Sequence, residues 1–277
     1  MNVKVLAFFN HKGGVSKTTS NFIIGNLLAS DSHSRVKKKH IRKGEKVLFV
    51  DLDFQRNLTN AVLRNENVTI EGGAIESIAS GDASEFIIQS QKNPNIYLLP
   101  ATKSLSLFDD FVFENELNKR EGYEKLLEMS LERFVKENDI RYVVVDTAPN
   151  ASKLLIQGLN LSFGGDTNAI IPFPLDEFGS DSLELAAETV SGIVGSSNPN
   201  LKVIGIVATL LQKTEKSYKK TLGKVKVIYE DLLFESVIFS KSEIKNFTNE
   251  KFEEKFSHQR GALEMYYGLL SEIKERI

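Results

Sequence analysis

The sequence predicts an α/β fold, a mostly parallel β-sheet with helices on both faces, and three observations carry that expectation. Short runs such as Val47-Leu48-Phe49-Val50 and Val143-Val144-Val145 are apolar throughout, as in strands buried on both faces. Segments of helical character separate these runs, so successive strands are joined by crossovers rather than tight hairpins. Two of the runs end in aspartate, Asp51 and Asp146, where folds of this class bind ligands beyond the carboxyl ends of their strands. At 277 residues the chain is long for one domain but ordinary for this class, and it reads as a single domain over 1–277.

The first elements set the chemistry. Val3 to Phe9 is a strand-like apolar run, and a helix is expected over Thr18 to Ala29. Between them lies Asn10-His11-Lys12-Gly13-Gly14-Val15-Ser16-Lys17-Thr18-Thr19. Strand, glycine-containing loop, Lys-Thr and helix is the layout of a phosphate-binding loop. Unpaired N–H groups and the helix dipole attract anions at a helix start, and glycine lets the backbone approach phosphate oxygens. Lys17 would reach the β- and γ-phosphates and the Thr18 hydroxyl would ligate Mg²⁺. The standard pattern asks for glycine at positions 11 and 16, where this chain has His11 and Ser16.

Residues 31–46 interrupt the α/β pattern with seven Lys or Arg against two acids. This basic insertion reads either as a solvated loop or as a contact for phosphate backbones, with Lys37, Lys38 and Lys39 at its centre. His33 and His40 lack metal-ligand spacing and read as surface residues. The strand Val47 to Val50 then ends in Asp51-Leu52-Asp53-Phe54-Gln55-Arg56-Asn57. Short helices and turns are expected over 65–95, a strand over Asn95 to Ala101, and a clear helical face over Gly122 to Glu137. Arg141 to Pro149 is a β-branched strand ending in Asp146, placed to hold Mg²⁺ through water next to Thr18. Further helices are expected at Ala151 to Leu161 and Ser180 to Val194, and strands at 168–171 and 201–209. Lys213, Lys216, Lys220 and Lys224 then recur at spacings of three and four on one helix face, a solvated face or a stripe for a DNA backbone. A last helix is expected from Gln259 to Ile273.

Lys12-Gly13-Gly14-Val15-Ser16-Lys17-Thr18 resembles the deviant loop K-G-G-x-x-K-T of the ParA/MinD class of P-loop ATPases, and Lys12 matches that class's extra lysine. Asp51-Leu52-Asp53-Phe54-Gln55-Arg56-Asn57 resembles the D-x-D-P-Q-x-N motif, with Phe54 in place of proline, and Asp146 to Pro149 resembles the D-x-x-P switch. Weaker likenesses are Leu98-Leu99-Pro100-Ala101, the 170–174 segment and the 236–244 segment. The resemblance spans nearly the whole chain and is nearest to ParA-type partition ATPases. It implies ATP and Mg²⁺ as ligands. Lys12, Lys17 and Asp53 would be catalytic, with Lys12 acting across a dimer and Asp53 orienting water. Gly13, Gly14, Val15, Ser16 and Thr19 would join Lys12, Lys17 and Thr18 around the phosphates. Pro172, Pro174 and Asp176 would lie beside the base. Thr18, Asp51 and Asp146 would serve the metal, Asp51 either there or by supporting the loop. Lys213, Lys216, Lys220 and Lys224 would contact DNA.

Composition narrows the choice further. No cysteine is present, which excludes disulfides, thiolate zinc sites and the iron–sulfur relatives of this class. A formal charge of −2 means that nucleic-acid contact must come from local patches. No apolar run approaches the ~20 residues of a membrane span and no signal peptide opens the chain, so a cytoplasmic address is expected, nucleoid-associated in the ATP state. With the first strand at Val3, no N-terminal helix-turn-helix domain is expected, and no membrane-binding helix after the last one. The expected activity is ATP hydrolysis by a Mg²⁺-dependent partition ATPase. It dimerises on ATP, binds DNA nonspecifically and is reset by a centromere-binding adaptor. The competing readings are a slow or non-catalytic switch that positions another cargo or recruits a protein, and a metabolic ATP-dependent ligase or amidase, for which no further catalytic groups are evident.

Overall fold

The computed structural model describes residues 3–30, 44–150, 152–174, 179–211, 217–240, 244 and 257–277, with backbone alone at 179–180, 210–211, 217–221, 224 and 257–262. The strands are β1 Lys4–Phe8, β2 Val47–Leu52, β3 Ile88–Gln89, β4 Ile96–Leu99, β5 Tyr142–Thr147, β6 Thr167–Pro174, β7 Leu201–Leu211 and β8 Leu233–Phe239. They form one sheet in the order β3-β4-β2-β5-β1-β6-β7-β8. Every pairing is parallel except β3 with β4. The helices are α1 Lys17–Ala29, α2 Asn57–Val62, α3 Ala74–Ser80, α4 Phe108–Glu114, α5 Leu126–Glu137, α6 Lys153–Leu159, α7 Gly179–Ser196, α8 Ser217–Tyr229 and α9 Ser257–Arg276.

Strand side chains alternate between faces, so an all-apolar strand feeds two cores. Val5, Ala7 and Phe9 enter one core with Val143, Val145, Leu127, Leu131, Leu155, Ala186 and Val225, which places α5, α6, α7 and α8 on that face. Leu6 and Phe8 enter the other with Val144, Phe22, Ile23, Leu58, Tyr266 and Leu269, which places α1, α2 and α9 opposite. The expected α/β architecture, helices on both faces of a mostly parallel sheet, is the observed one.

The differences are local. β3 lies in the stretch expected to hold only helices and turns; two residues cannot show a period. The helix expected from Gly122 begins at Leu126, because Gly122 has φ +73° and Tyr123–Lys125 forms a 3₁₀ turn. Residues 103–125, rich in apolar groups without a clean period, break into 3₁₀ turns around α4. Residues 31–43 of the basic insertion lie outside the described residues, as do Asp176, Lys213 and Lys216.

Register sets the site. Asp51 on β2 and Asp146 on β5 are direct neighbours across the pair, and Phe8 at the end of β1 is the neighbour of Asp146 on the other side. The β1–α1 loop therefore starts beside two strand-end carboxylates. α1 approaches β2 closely because Gly25 lacks a side chain; a Cβ there would run into the Phe49 ring. Gly25→Ala should thus cost about 1–3 kcal/mol by overpacking, read as a lowered urea midpoint. Gly25→Ala with Phe49→Leu should recover part of that loss, and an unchanged midpoint for the single variant would contradict the close contact.

Candidate functional site

The loop from Asn10 to Ser16 is held by side chains rather than by a sheet. Asn10 is buried; its Nδ2 donates to Pro172 O at 2.9 Å and its Oδ1 accepts from Lys12 N at 2.8 Å. Thr209 Oγ1 on β7 donates to Val15 O at 3.3 Å. His11 Nε2 lies 2.7 Å from Thr189 Oγ1 on α7, and since that hydroxyl donates to Leu185 O, it is free to accept from the imidazole N–H. The residue at the first glycine position of the standard loop therefore ties the loop to α7. Burial, then the charge of Lys17, pushes the His11 pKa down and favours the neutral ring.

Ser16 occupies the other standard glycine position and has φ +68°, ψ +22°, the left-handed conformation that glycine adopts without cost. The chain turns there into α1, and Lys17 and Thr18 open the helix. Lys17 is 7% exposed, and its Nζ donates to Asn10 O and Lys12 O, both at 2.9 Å. Burial lowers its pKa, while Asp146 and Asp53 oppose that fall. The ammonium thus bridges the loop's own carbonyls, at a helix start where a phosphate oxygen is the stronger partner.

Behind the loop the two strand-end carboxylates have different surroundings. Asp51 is fully buried; its Oδ1 accepts from Asp53 N at 3.1 Å, and its Oδ2 accepts from Thr59 N at 2.8 Å and Thr59 Oγ1 at 2.7 Å. Of the two roles open to it, supporting the loop is the one these bonds serve. Burial raises it to about 6, the three hydrogen bonds opposing and Asp53 adding to the rise. Asp146, equally buried, accepts at Oδ1 from Asn21 Nδ2 at 2.8 Å; its Oδ2 has no partner in good hydrogen-bond geometry, although the Thr18 hydroxyl lies near enough to the carboxylate to favour its charged form. Burial and then Asp51 push Asp146 up to about 8, with Thr18 and Asn21 opposing. An orphaned buried carboxylate oxygen beside a threonine hydroxyl and near other carboxylates fits a hard divalent cation, which would supply the missing positive charge. The residues present therefore fit Mg²⁺, which Thr18 and Asp146 would hold.

A cleft of about 330 Å³ opens over the loop. It is lined by Gly13 to Thr19, by Asp53, Asn57 and Pro149, and by Ile238, Phe239, Ser240 and Ile244. Asp53 is 8% exposed, and its Oδ1 accepts from Gln55 N at 3.0 Å. The structure thus brings together Gly13, Gly14, Val15, Ser16, Lys17, Thr18, Thr19 and Asp53, with Asp51 and Asp146 buried behind. Lys12 does not line the cleft. Pro172 and Pro174, expected beside the base, are buried inside β6 and do not line it either. The apolar wall comes instead from the end of β8 and from Ile244, residues whose chemistry is too plain to mark them in a sequence. Lys220 and Lys224 lie on α8.

Strand, glycine loop and Lys-Thr helix start, with a carboxylate from the neighbouring strand and an open cleft above, define a P-loop nucleotide-binding fold. A family model described as an AAA domain matches residues 3–203. The chain belongs to this family, as a ParA/MinD-type P-loop ATPase with the deviant loop. It is 29% identical over 236 residues to the sporulation initiation inhibitor protein Soj of Bacillus subtilis, covering 85% of this chain and 83% of that one. A putative plasmid partition protein of Borrelia burgdorferi bound to AMPPNP superposes with a TM-score of 0.74 at 22% identity, each chain covered in full (100% and 100%). Cobyrinic acid a,c-diamide synthase of Mycobacterium smegmatis, with bound ATP analogue and magnesium, gives a TM-score of 0.69 at 26% identity over 87% of this chain and 86% of the other.

The left-handed Ser16 yields a direct test. A non-glycine residue there pays roughly 1–2 kcal/mol, partly offset because glycine loses more entropy on folding. Ser16→Gly should therefore stabilise the protein by about 0.5–1 kcal/mol in chemical denaturation, and Ser16→Val should destabilise it. A lower midpoint for Ser16→Gly would contradict strain at this position.

Proposed function

We propose that this chain is a Mg²⁺-dependent partition ATPase whose ATP-bound form dimerises, binds DNA without sequence preference and is reset by a partner that stimulates hydrolysis. The observation that carries the proposal is the convergence of Gly13–Gly14, Lys17, Thr18 and Asp53 on one cleft, with the unpartnered oxygen of Asp146 behind Thr18. The naming of Soj and of a plasmid partition protein among its relatives supports the choice of partition over other ATP-dependent roles.

In this reading the triphosphate enters over Gly13 and Gly14, whose backbone N–H groups donate to it, and the base lies against Ile238, Phe239 and Ile244. Lys17 leaves the Asn10 and Lys12 carbonyls for the β- and γ-phosphates. Thr18 and Asp146 would hold Mg²⁺, which when bound would supply positive charge to the phosphates. Asp53 orients a water whose oxygen attacks the γ-phosphorus as the bond to ADP breaks. Lys12, which does not line the cleft of its own chain, reaches the phosphates of a second copy, so chemistry waits on dimerisation.

Three experiments test the proposal. Lys17→Ala should abolish ATP binding by calorimetry with the fold intact. Lys12→Ala should retain binding but lose partner-stimulated phosphate release; a trans-acting cation of this kind is worth on the order of 10³–10⁵ in rate. Normal turnover by Lys12→Ala would remove the trans role, and ATP binding without any stimulated turnover in wild type would leave a nucleotide switch. For DNA, log K should fall with log salt by about 0.9 per phosphate contact. Replacing Lys216, Lys220 and Lys224 should flatten the slope of the ATP state by roughly two to three units per protomer. Loss of slope on replacing Lys37, Lys38 and Lys39 instead would move the DNA site to the insertion, and no DNA binding at all by wild type would refute this part of the proposal.

A further inference from the structure

Asn21 is a fully buried amide on α1, between the polar first turn Lys17–Ser20 and Phe22, Ile23 and Ile24, which are also buried. It stands one turn after Thr18 and four residues after Lys17, on the helix side that faces the strand ends. Its Nδ2 spans 125 residues of sequence to donate to Asp146 Oδ1 at 2.8 Å. The bond is bought at a cost, since Asn21 Oδ1 is left buried with no partner. An aliphatic side chain would remove the unsatisfied acceptor but would leave both oxygens of the buried Asp146 without a donor in good geometry, so the asparagine is held here by the carboxylate it serves.

We propose that Asn21 is the positioning residue of the cation site: by occupying Asp146 Oδ1, it fixes the carboxylate so that Oδ2 is the oxygen presented to the Mg²⁺ of bound Mg-ATP. This rests on the Mg-nucleotide reading above. The contrast with Asp51 defines the role. Asp51 has both oxygens engaged by the turn that follows it, whereas Asp146 has one engaged and one open. A neutral N–H donor suits this task because it orients the carboxylate without supplying the charge that the cation brings. Lysine or arginine in its place would neutralise Asp146 and compete with the metal. Hydrogen bonds of this outer kind typically govern metal affinity by about 10–100-fold.

The test separates nucleotide affinity from cation dependence and needs no turnover. A fluorescent ATP analogue is titrated into the full-length chain in excess EDTA, then at fixed nucleotide with increasing Mg²⁺. Asn21→Leu, close in size and without the donor, should raise the Mg²⁺ concentration for half-maximal enhancement by about 10–100-fold. Its affinity in EDTA should stay within about twofold of wild type. Should leucine not be accommodated, as judged by circular dichroism and a urea midpoint, Asn21→Ala reads the same quantity. An unchanged Mg²⁺ midpoint in the folded variant overturns the assignment, as does an equal loss of affinity with and without Mg²⁺, which marks a purely structural role. If wild type itself shows no Mg²⁺ enhancement, the Mg-nucleotide reading fails and the assignment falls with it.

Discussion

Two carboxylates with no solvent exposure stand side by side on adjacent parallel strands, and the rest of the site follows from how each is compensated. Asp51 and Asp146 are register partners, so the sheet itself brings their like charges together. Burial and then the charge of Asp51 push Asp146 up to about 8, whereas Asp51 is raised to about 6 by burial, with a smaller push from Asp53. Thr59 and the backbone of Asp53 answer the first carboxylate, and Asn21 answers half of the second. What remains is one carboxylate oxygen without a partner, next to the threonine that opens α1. Under the proposed function, a divalent cation brought in with nucleotide would complete that electrostatic set and couple cation binding to the loop that would receive the phosphates.

The loop is preorganised by contacts to both cores and to neither exclusively. Asn10 and Thr209 tie it to β6 and β7, His11 ties it to α7, and Ser20 on α1 lies 3.3 Å from the Tyr266 hydroxyl on α9. Lys17 closes the loop on itself through two carbonyls. Preorganisation of this kind reduces the entropy lost on binding, and exchanging two neutral carbonyls for phosphate oxygens would give the Lys17 ammonium acceptors of opposite charge. Ser16 works against it: a left-handed non-glycine residue stores strain at the point where the loop enters α1.

Much of this was legible in the amino-acid order, and the exceptions have physical reasons. Val47 to Val50 and Val143 to Val145 announce buried parallel strands because a strand covered on both faces has no polar alternation. Lys17, Thr18 and Asp53, which meet at one cleft, and the buried Asp146 stood out as candidates because phosphate and cation chemistry would call for those residue types at a helix start and at strand ends. The apolar lining of the cleft did not, because Ile238, Phe239 and Ile244 are chosen for shape and apolarity, which any core residue shares. Pro172 and Pro174 were placed near the base by resemblance, while the structure buries them within β6. Asn21 carries a fainter signal: an amide directly before Phe22, Ile23 and Ile24, at the edge of an apolar helical run, is a polar group in need of a buried partner. His11 could not be assigned from sequence, because Thr189 lies 178 residues away.

The most direct test of the account is the position of the metal and the triphosphate themselves. Crystals grown with a non-hydrolysable ATP analogue and Mn²⁺ in place of Mg²⁺ would locate the cation by its anomalous signal. The expected result is a peak beside the Thr18 hydroxyl, joined to Asp146 Oδ2 through water, with Lys17 Nζ moved from the Asn10 and Lys12 carbonyls to the phosphates. A cation bound away from Thr18 and Asp146, or a nucleotide that leaves Lys17 on those carbonyls, would contradict it.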